Sequence, residues 1–261
     1  ATWGRSGNSE SATAEKVAKK LGFPWVFVPT DEQVKPGFWK EELFERYIDW
    51  SGHFSSMPYL QDYFAIRFLL EKELIDEETV VLPGHPGDFL RGSHLYSDLP
   101  VQSPVEVIDS IIDNFGTSLP LTKTERTAVR EVIADSYCSD NSPFDPVSAY
   151  EKWDQEERQC KFIGNSSQVY TFFGINHLDP LFDKELLEYF LALPFEQRLG
   201  ASSYNKALEN LVFKPHGCDF DLKSAGVEMK QSNKWKSFLL KMLPPALKEW
   251  YYPVKDDAFY R

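Results

Sequence analysis

The residues best suited to chemistry lie in one glycine-rich segment, VVLPGHPGDFLRGSHLY, which spans residues 80–96. A short apolar β-type run is followed there by a loop that contains Gly84, His85, Gly87, Asp88 and Gly92. Loop amides after a buried strand can hold a phosphate at the carboxyl edge of a sheet, where open α/β folds bind ligands. A carboxylate in such a loop can hold Mg²⁺ and its waters beside a nucleotide. The segment therefore predicts a nucleotide and magnesium site, with a plain strand-to-helix turn as the alternative.

The residue types alone also allow other functions for these side chains. His85, Asp88 and His94 could ligate a transition metal, because imidazole and carboxylate together suit zinc or iron. Asp88 could instead cap a helix that begins at Phe89. Lys206, near the start of a predicted helix, could neutralise charge that develops on a phosphate, or could be solvated like most lysines.

Helices and strands alternate in the first hundred residues. Residues 8–22 have a capping start, late lysines and a terminal glycine, which predict a helix, and the β-branched and aromatic run WVFV at 25–28 predicts a buried strand. A second helix is predicted over residues 59–74, before a strand at 80–82. This βαβ rhythm predicts parallel strands.

The second half of the chain has mainly helical periodicity. The stripe Val105, Ile108, Ile111, Ile112 and Phe115 repeats at helical spacing. Similar patterns occur at residues 124–137, 183–193, 204–213 and 234–243. We therefore predict one domain over residues 1–261, with an α/β part at 1–100 and a helical part at 101–261.

Composition limits the class of partner. The chain has 261 residues and a formal net charge of −12, which disfavours nucleic acid, since phosphate-backbone binding relies on Lys and Arg. Three scattered cysteines without CxxC spacing indicate reduced thiols rather than disulfides or structural zinc. Together with the lack of a long apolar segment or signal pattern in the sequence, this predicts a cytoplasmic protein without membrane association.

Four blocks occur in an order that resembles a known family: TWGRSGNSESATAEKVAKKLGF, SSMPYLQDYFAI, VVLPGHPGDFLRGSHLY and DPLFDKELLEYFLALP. They are similar to successive blocks of the asparagine synthetase synthase domain, a member of the N-type ATP pyrophosphatases. The resemblance implies an α/β fold with a partial parallel sheet, Rossmann-like and adenine nucleotide alpha-hydrolase-like, followed by a predominantly helical second half. It also implies ATP and Mg²⁺ as cofactors.

The resemblance assigns roles to individual residues. Trp3 resembles the residue whose strand edge contacts adenine, Gly84 and Gly92 match loop glycines, and Asp88 matches the carboxylate tied to Mg²⁺ and pyrophosphate. Lys206 is similar to the lysine that stabilises the adenylation transition state. Such enzymes let a substrate carboxylate attack the α-phosphorus of ATP, release pyrophosphate, and form an amide as an amine displaces AMP.

Several positions depart from the family pattern. The loop acid is His85, and the end of the GGY motif is replaced by Ser93 and His94. The Glu and Arg that precede the family's PFLD block are Asn176 and Leu178 here. We therefore expect an acceptor other than aspartate, either another small carboxylate or a sugar.

The SGGxDS pyrophosphate loop of the family is not found in this sequence. We expect a fragment that lacks its first βα unit, is inactive alone, and forms homo-oligomers through the exposed sheet edge. The rival functions are a metal-dependent hydrolase using His85, Asp88 and His94, and a non-catalytic binding module that keeps the fold.

Overall fold

Two pairs of short parallel strands lie among many helices in the part of the chain that the computed structural model describes, residues 1–52, 56, 60–115, 121–138 and 143–218. Strand β1 (Thr2–Gly4) pairs with β2 (Phe27–Pro29), with Trp3 opposite Val28. Strand β3 (Val80–Val81) pairs with β4 (Asn176–His177). Both pairs are parallel, as the βαβ rhythm predicts.

The helices follow one another along the chain with short connections. They are α1 (Ser9–Leu21), α2 (Thr30–Gln33), α3 (Glu42–Gly52), α4 (Leu60–Glu71), α5 (Gly87–Leu90), α6 (Pro104–Phe115), α7 (Lys123–Tyr137), α8 (Pro146–Trp153), α9 (Gln168–Phe172), α10 (Lys184–Ala192), α11 (Phe195–Arg198) and α12 (Ser202–Leu208). π-Helical segments follow α8 at Asp154–Gly164 and α12 at Glu209–Phe213. The described chain is mostly helical with a small amount of parallel sheet, which is compatible with the α/β class.

Local capping explains where several helices begin and end. Helix α1 starts after Asn8, whose side chain accepts a hydrogen bond from the Ser11 amide at 2.7 Å, and ends at Gly22 in the left-handed conformation. In α7 the Thr122 hydroxyl and the Glu125 carboxylate cap each other's backbone amides. The termini of α1 were predicted from these capping residues, because capping depends on neighbouring side chains, whereas α7 was predicted from its periodicity and its cap was not.

The helices and strands pack around two hydrophobic cores. The first packs β2, α3, α4 and α9, and its most buried members are Val28, Tyr47, Tyr63, Ile66, Val169 and Tyr170. The second packs α6, α7 and α8 around Leu99, Val107, Ile111, Ile133 and Tyr150. Because Val81 and Trp3 both pack against the first core, the two strand pairs share it.

Some predictions need correction. The strand expected at residues 25–28 forms at Phe27–Pro29. Val105, predicted in the buried stripe of α6, is 61% exposed, and Val107 is buried in its place. Helices α3 and α8 were not predicted, and β4 adds a strand to the half expected to be helical. The helix predicted at residues 234–243 lies outside the described residues.

No helix within the described ranges combines the length and the apolar character that crossing a membrane requires.

Candidate functional site

The glycine-rich segment leaves the carboxyl end of β3 and leads into α5. Asp88 lies in the first turn of α5, but Pro86 occupies the capping position and no side chain caps the helix. The Asp88 side chain is 71% exposed and forms an ion pair with Arg91 at 2.8 Å. Asp88 is therefore not the helix cap considered as an alternative, and its carboxylate is accessible to a cation or ligand.

The three loop glycines have different surroundings. A Cβ atom at Gly84 would meet nothing within 4 Å, so this position faces open space. At Gly87 it would come within 3.3 Å of the Leu181 side chain. At Gly92 the backbone φ is +76° and a Cβ would approach the carbonyl oxygen of Arg198 to 2.6 Å. Packing therefore requires a glycine at 92, whereas the open side of the loop is at Gly84.

His85 lies where β3 and β4 end side by side. Burial lowers the pKa of His85, and the nearby carboxylates of Asp179 and Asp88 offset this effect only in part. Its imidazole is consequently neutral at pH 7 and can accept or donate a hydrogen bond.

Asp179 follows β4 and belongs to the same edge. Its two oxygens contact different partners: the Ser167 hydroxyl donates to Oδ1 at 3.3 Å, and Nε2 of His177 lies 3.4 Å from Oδ2. The carboxyl ends of parallel neighbours meet at one edge, so β3 and β4 bring His85, Asp88 and Asp179 together from distant parts of the sequence. Sequence analysis identified neither Asp179 nor His177 as a site residue.

A buried carboxyl group lies on α4, next to β1. The Trp3 indole donates a hydrogen bond to Asp62 at 2.9 Å, and Asp62 is only 3% exposed. Burial raises the pKa of Asp62 from 3.8 to about 7, although the hydrogen bond from Trp3 lowers it. The side chain of Trp3 therefore packs against the first core. The contact of its strand edge with adenine stays a prediction from the resemblance.

Tyrosine hydroxyls surround Asp62 without hydrogen-bond partners. Tyr47 and Tyr170 are buried, and neither hydroxyl has an acceptor or donor within the described residues. Burial, reinforced by the Asp62 carboxylate, raises the pKa of both phenols. Because the Tyr170 ring also lies 5.2 Å from that of His177, it links the Asp62 region to the edge of β4. The sequence signal that could have identified Asp62 is its charge within the mainly apolar run LQDYFAIRFLL.

His94 belongs to a different environment from His85. Its ring stacks on Phe89 at a centroid distance of 4.9 Å, and its Nε2 lies 3.2 Å from Oε1 of Glu151. Arg198 donates to the same oxygen at 2.5 Å, so the three side chains form a buried group. Within the described ranges, no set of three or more His, Cys, Asp and Glu side chains is arranged to hold a metal ion. The geometry gives no support to a metal centre of His85, Asp88 and His94.

Lys206 lies on α12, where it is exposed. No hydrogen bond or ion pair joins it to the glycine-rich segment in the part of the chain that the structure describes. Its role at a phosphate stays a prediction from the resemblance alone.

Comparison of the chain with models of known protein families, with curated proteins and with solved structures gave no match.

Proposed function

We propose that this chain is the nucleotide-binding part of an ATP-dependent, AMP-forming ligase or amidotransferase that makes an amide bond and resembles asparagine synthetase, with an acceptor other than aspartate. The observation that carries the proposal is the accessible Asp88 carboxylate in the first turn of α5, after an open glycine loop at the carboxyl edge of two parallel strands. Nucleotides bind at this edge in open α/β sheets.

The finer fold assignment is part of the proposal. Both strand pairs are parallel and pack on one core, which supports two portions of one Rossmann-like, adenine nucleotide alpha-hydrolase-like sheet. The predominantly helical remainder is consistent with the helical part of such enzymes. Under this assignment ATP lies beside Gly84, and the acceptor lies towards Asp179.

The donor chemistry at the edge fits Mg²⁺. Asp88 offers an exposed carboxylate, the type of oxygen ligand that Mg²⁺ prefers, and bound Mg²⁺ would neutralise phosphate charge there. Arg91, released from its ion pair, can then donate to a phosphate oxygen. Catalysis by positioning and charge neutralisation requires no covalent nucleophile.

His85 is suited to act as the base in the second half-reaction, in which an amine displaces AMP from the acyl adenylate. An amine that displaces AMP from an acyl adenylate must lose a proton, and a neutral imidazole is a suitable acceptor at pH 7. His85 meets this requirement because burial keeps its pKa low. The adjacent carboxylate of Asp179 would stabilise the imidazolium that forms.

Nucleotide binding is the first experiment. Calorimetric titration of the full chain with ATP is expected to show binding that depends on MgCl₂, and Asp88→Asn should weaken it by about tenfold or more, as removal of a charged ligand does. Asp49→Asn is the matched control, because it removes the same charge from an exposed position on α3. Absence of magnesium-dependent binding contradicts the proposal.

Pyrophosphate exchange tests the reaction. The assay uses the full-length protein, because the chain is expected to be inactive alone. A panel of small carboxylates and acidic sugars is screened for exchange of labelled pyrophosphate into ATP, followed by amide formation with ammonia as the amine probe. His85→Asn should retain exchange and lose amide formation, since it acts only in the second half-reaction. Binding without exchange for any acceptor would favour the non-catalytic module instead.

A further inference from the structure

One side of the β3–β4 pair exposes apolar residues to solvent. Val80 and Leu82 are two positions apart on an extended chain and therefore point to the same side of the sheet. The register pairs Val80 with Asn176, and the Leu178 amide donates to the Val81 carbonyl oxygen at 3.0 Å, so Leu178 lies on that side as well. The side chains of Val80, Leu82 and Leu178, called here the β3–β4 face, are 50%, 65% and 62% exposed.

The opposite side of the same strand pair is covered. Val81 and His177 alternate with the exposed residues and are half-buried, and Val81 packs against the first core. Parallel strands in α/β folds are normally covered on both sides, because the helices that connect them lie on the two faces of the sheet. Three large apolar side chains that stay exposed together therefore indicate a surface that another element covers.

An acidic turn lies beside the β3–β4 face. The sequence before β3 is EKELIDEE at residues 71–78, which contains five acidic residues and one lysine. The Asn176 side chain, which shares a side of the sheet with Leu178, donates to the Glu77 carbonyl oxygen at 3.4 Å and so holds this turn next to the face. Glu77 and Glu78 are exposed, and within the described ranges no ion pair engages either carboxylate. The surface therefore combines apolar area with negative charge that is not neutralised.

Charge selects among the elements that could cover this surface. A second copy of the chain would bring a net charge of −12 towards the same acidic turn, and an anionic membrane would be repelled in the same way. A helix is the element that covers a face of a parallel sheet. We propose that the β3–β4 face binds an amphipathic helix of a partner protein, with the apolar stripe of the helix on the face and its lysine or arginine side chains beside Glu77 and Glu78.

Two helical peptides test the chemistry of the partner. Each has about 14 residues, or about four turns, with leucines along one stripe; the first carries lysines at the other positions and the second carries glutamates. Binding of the fluorescently labelled peptides to the full chain is measured by anisotropy. The lysine peptide is expected to bind saturably and to weaken as salt is added, and the glutamate peptide should bind at least about tenfold more weakly. No saturable binding of the lysine peptide, or equal binding of the two peptides, would overturn the proposal.

Substitutions of exposed leucines locate the binding site. Leu82→Ser removes apolar area from the β3–β4 face and should weaken binding of the lysine peptide about tenfold. Leu211→Ser is the matched control, because it removes a leucine that is 75% exposed from the segment after α12, and it should bind the peptide normally. Both leucines are exposed, so neither substitution leaves a cavity in a core. Equal binding by the parent protein and Leu82→Ser would refute the location.

Charge variants and two further measurements complete the test. Glu77→Gln combined with Glu78→Gln should weaken binding about threefold or more and reduce its dependence on salt. Removal of two exposed carboxylates from α3, by Glu42→Gln with Glu45→Gln, should change neither, and equal effects of the two pairs would contradict the role of the acidic turn. A dimer in sedimentation velocity that Leu82→Ser dissociates would identify a second copy as the occupant and contradict the proposal. Cosedimentation with vesicles of phosphatidylserine and phosphatidylcholine that Leu82→Ser abolishes would contradict it in favour of a membrane.

Discussion

Replacing Asp62 with asparagine is expected to stabilise the protein increasingly as the pH rises. Asp62 has a pKa of about 7 in the folded protein against 3.8 as the reference for the unfolded chain, because burial penalises the carboxylate. Between these values the unfolded chain releases the proton and the folded chain retains it, so stability falls as the pH rises from about 4 to about 7. Above this range both states are ionised and the dependence ends.

The pKa difference sets the size of the effect. The change from 3.8 to about 7 corresponds to about 4 kcal/mol between the ionised and protonated forms. Asparagine cannot ionise, and its amide oxygen can still accept the hydrogen bond from Trp3. The stability of Asp62→Asn relative to the parent protein should therefore rise by up to about 4 kcal/mol between about pH 4 and about pH 8.

Urea unfolding followed by tryptophan fluorescence measures this difference at a series of pH values. Asp88→Asn is the control: its carboxylate is exposed, and its curve should stay within about 1 kcal/mol of the parent at each pH. If the difference between Asp62→Asn and the parent protein is constant over the whole range, Asp62 titrates normally and the inferred burial of the carboxyl is wrong.

Three further substitutions test packing and capping. Gly92→Ala should lower the free energy of unfolding by more than about 2 kcal/mol, because a Cβ would meet the Arg198 carbonyl oxygen. The control Gly84→Ala should change the free energy of unfolding by less than about 0.5 kcal/mol, and urea titration of both variants measures the difference. Glu151→Gln should lower the free energy of unfolding by about 3 to 5 kcal/mol, because Arg198 would stay buried without its carboxylate. The double variant Glu151→Leu with Arg198→Met should recover most of this stability, as measured by thermal unfolding. A double variant no more stable than Glu151→Gln would contradict the role of the buried ion pair. Thr122→Ala should destabilise the protein by about 1 kcal/mol, because it removes the α7 capping box. Thr127→Ala, within the same helix, should not lower the stability, and equal effects of the two substitutions in calorimetry would argue against the cap.

Elements with local signals were predicted well. The bounds of α1 and α10 follow from Asn8, Gly22 and Asp183, whose side chains or backbone interact with residues within one turn. The parallel pairing of the strands follows from their alternation with helices. Helices α3 and α8 were missed, although in α3 the buried residues Phe44, Tyr47 and Ser51 repeat at helical spacing and were an available signal.

The candidate site was only partly predicted. The glycine-rich segment placed His85 and Asp88 on one loop after a strand; His85 lies in that loop, whereas Asp88 lies in the first turn of α5. Its partner Asp179 follows a strand of two residues, which is too short to give a periodic signal. His94 lies close to His85 in sequence but packs against Glu151, because α5 and the turn that follows it carry the chain into the second core.

The sequence by itself determined the caps of α1, the parallel strands and a glycine-rich loop that contains His85 and leads to Asp88, since each depends on residues within a few positions or on the alternation of strands and helices. Only the tertiary structure decided that Trp3 would meet Asp62 across 59 residues and Glu151 would meet Arg198 across 47. Burial created both contacts and gave them their chemistry: away from water a carboxyl retains its proton or requires a cation, and no local pattern specifies which side chains will be enclosed together.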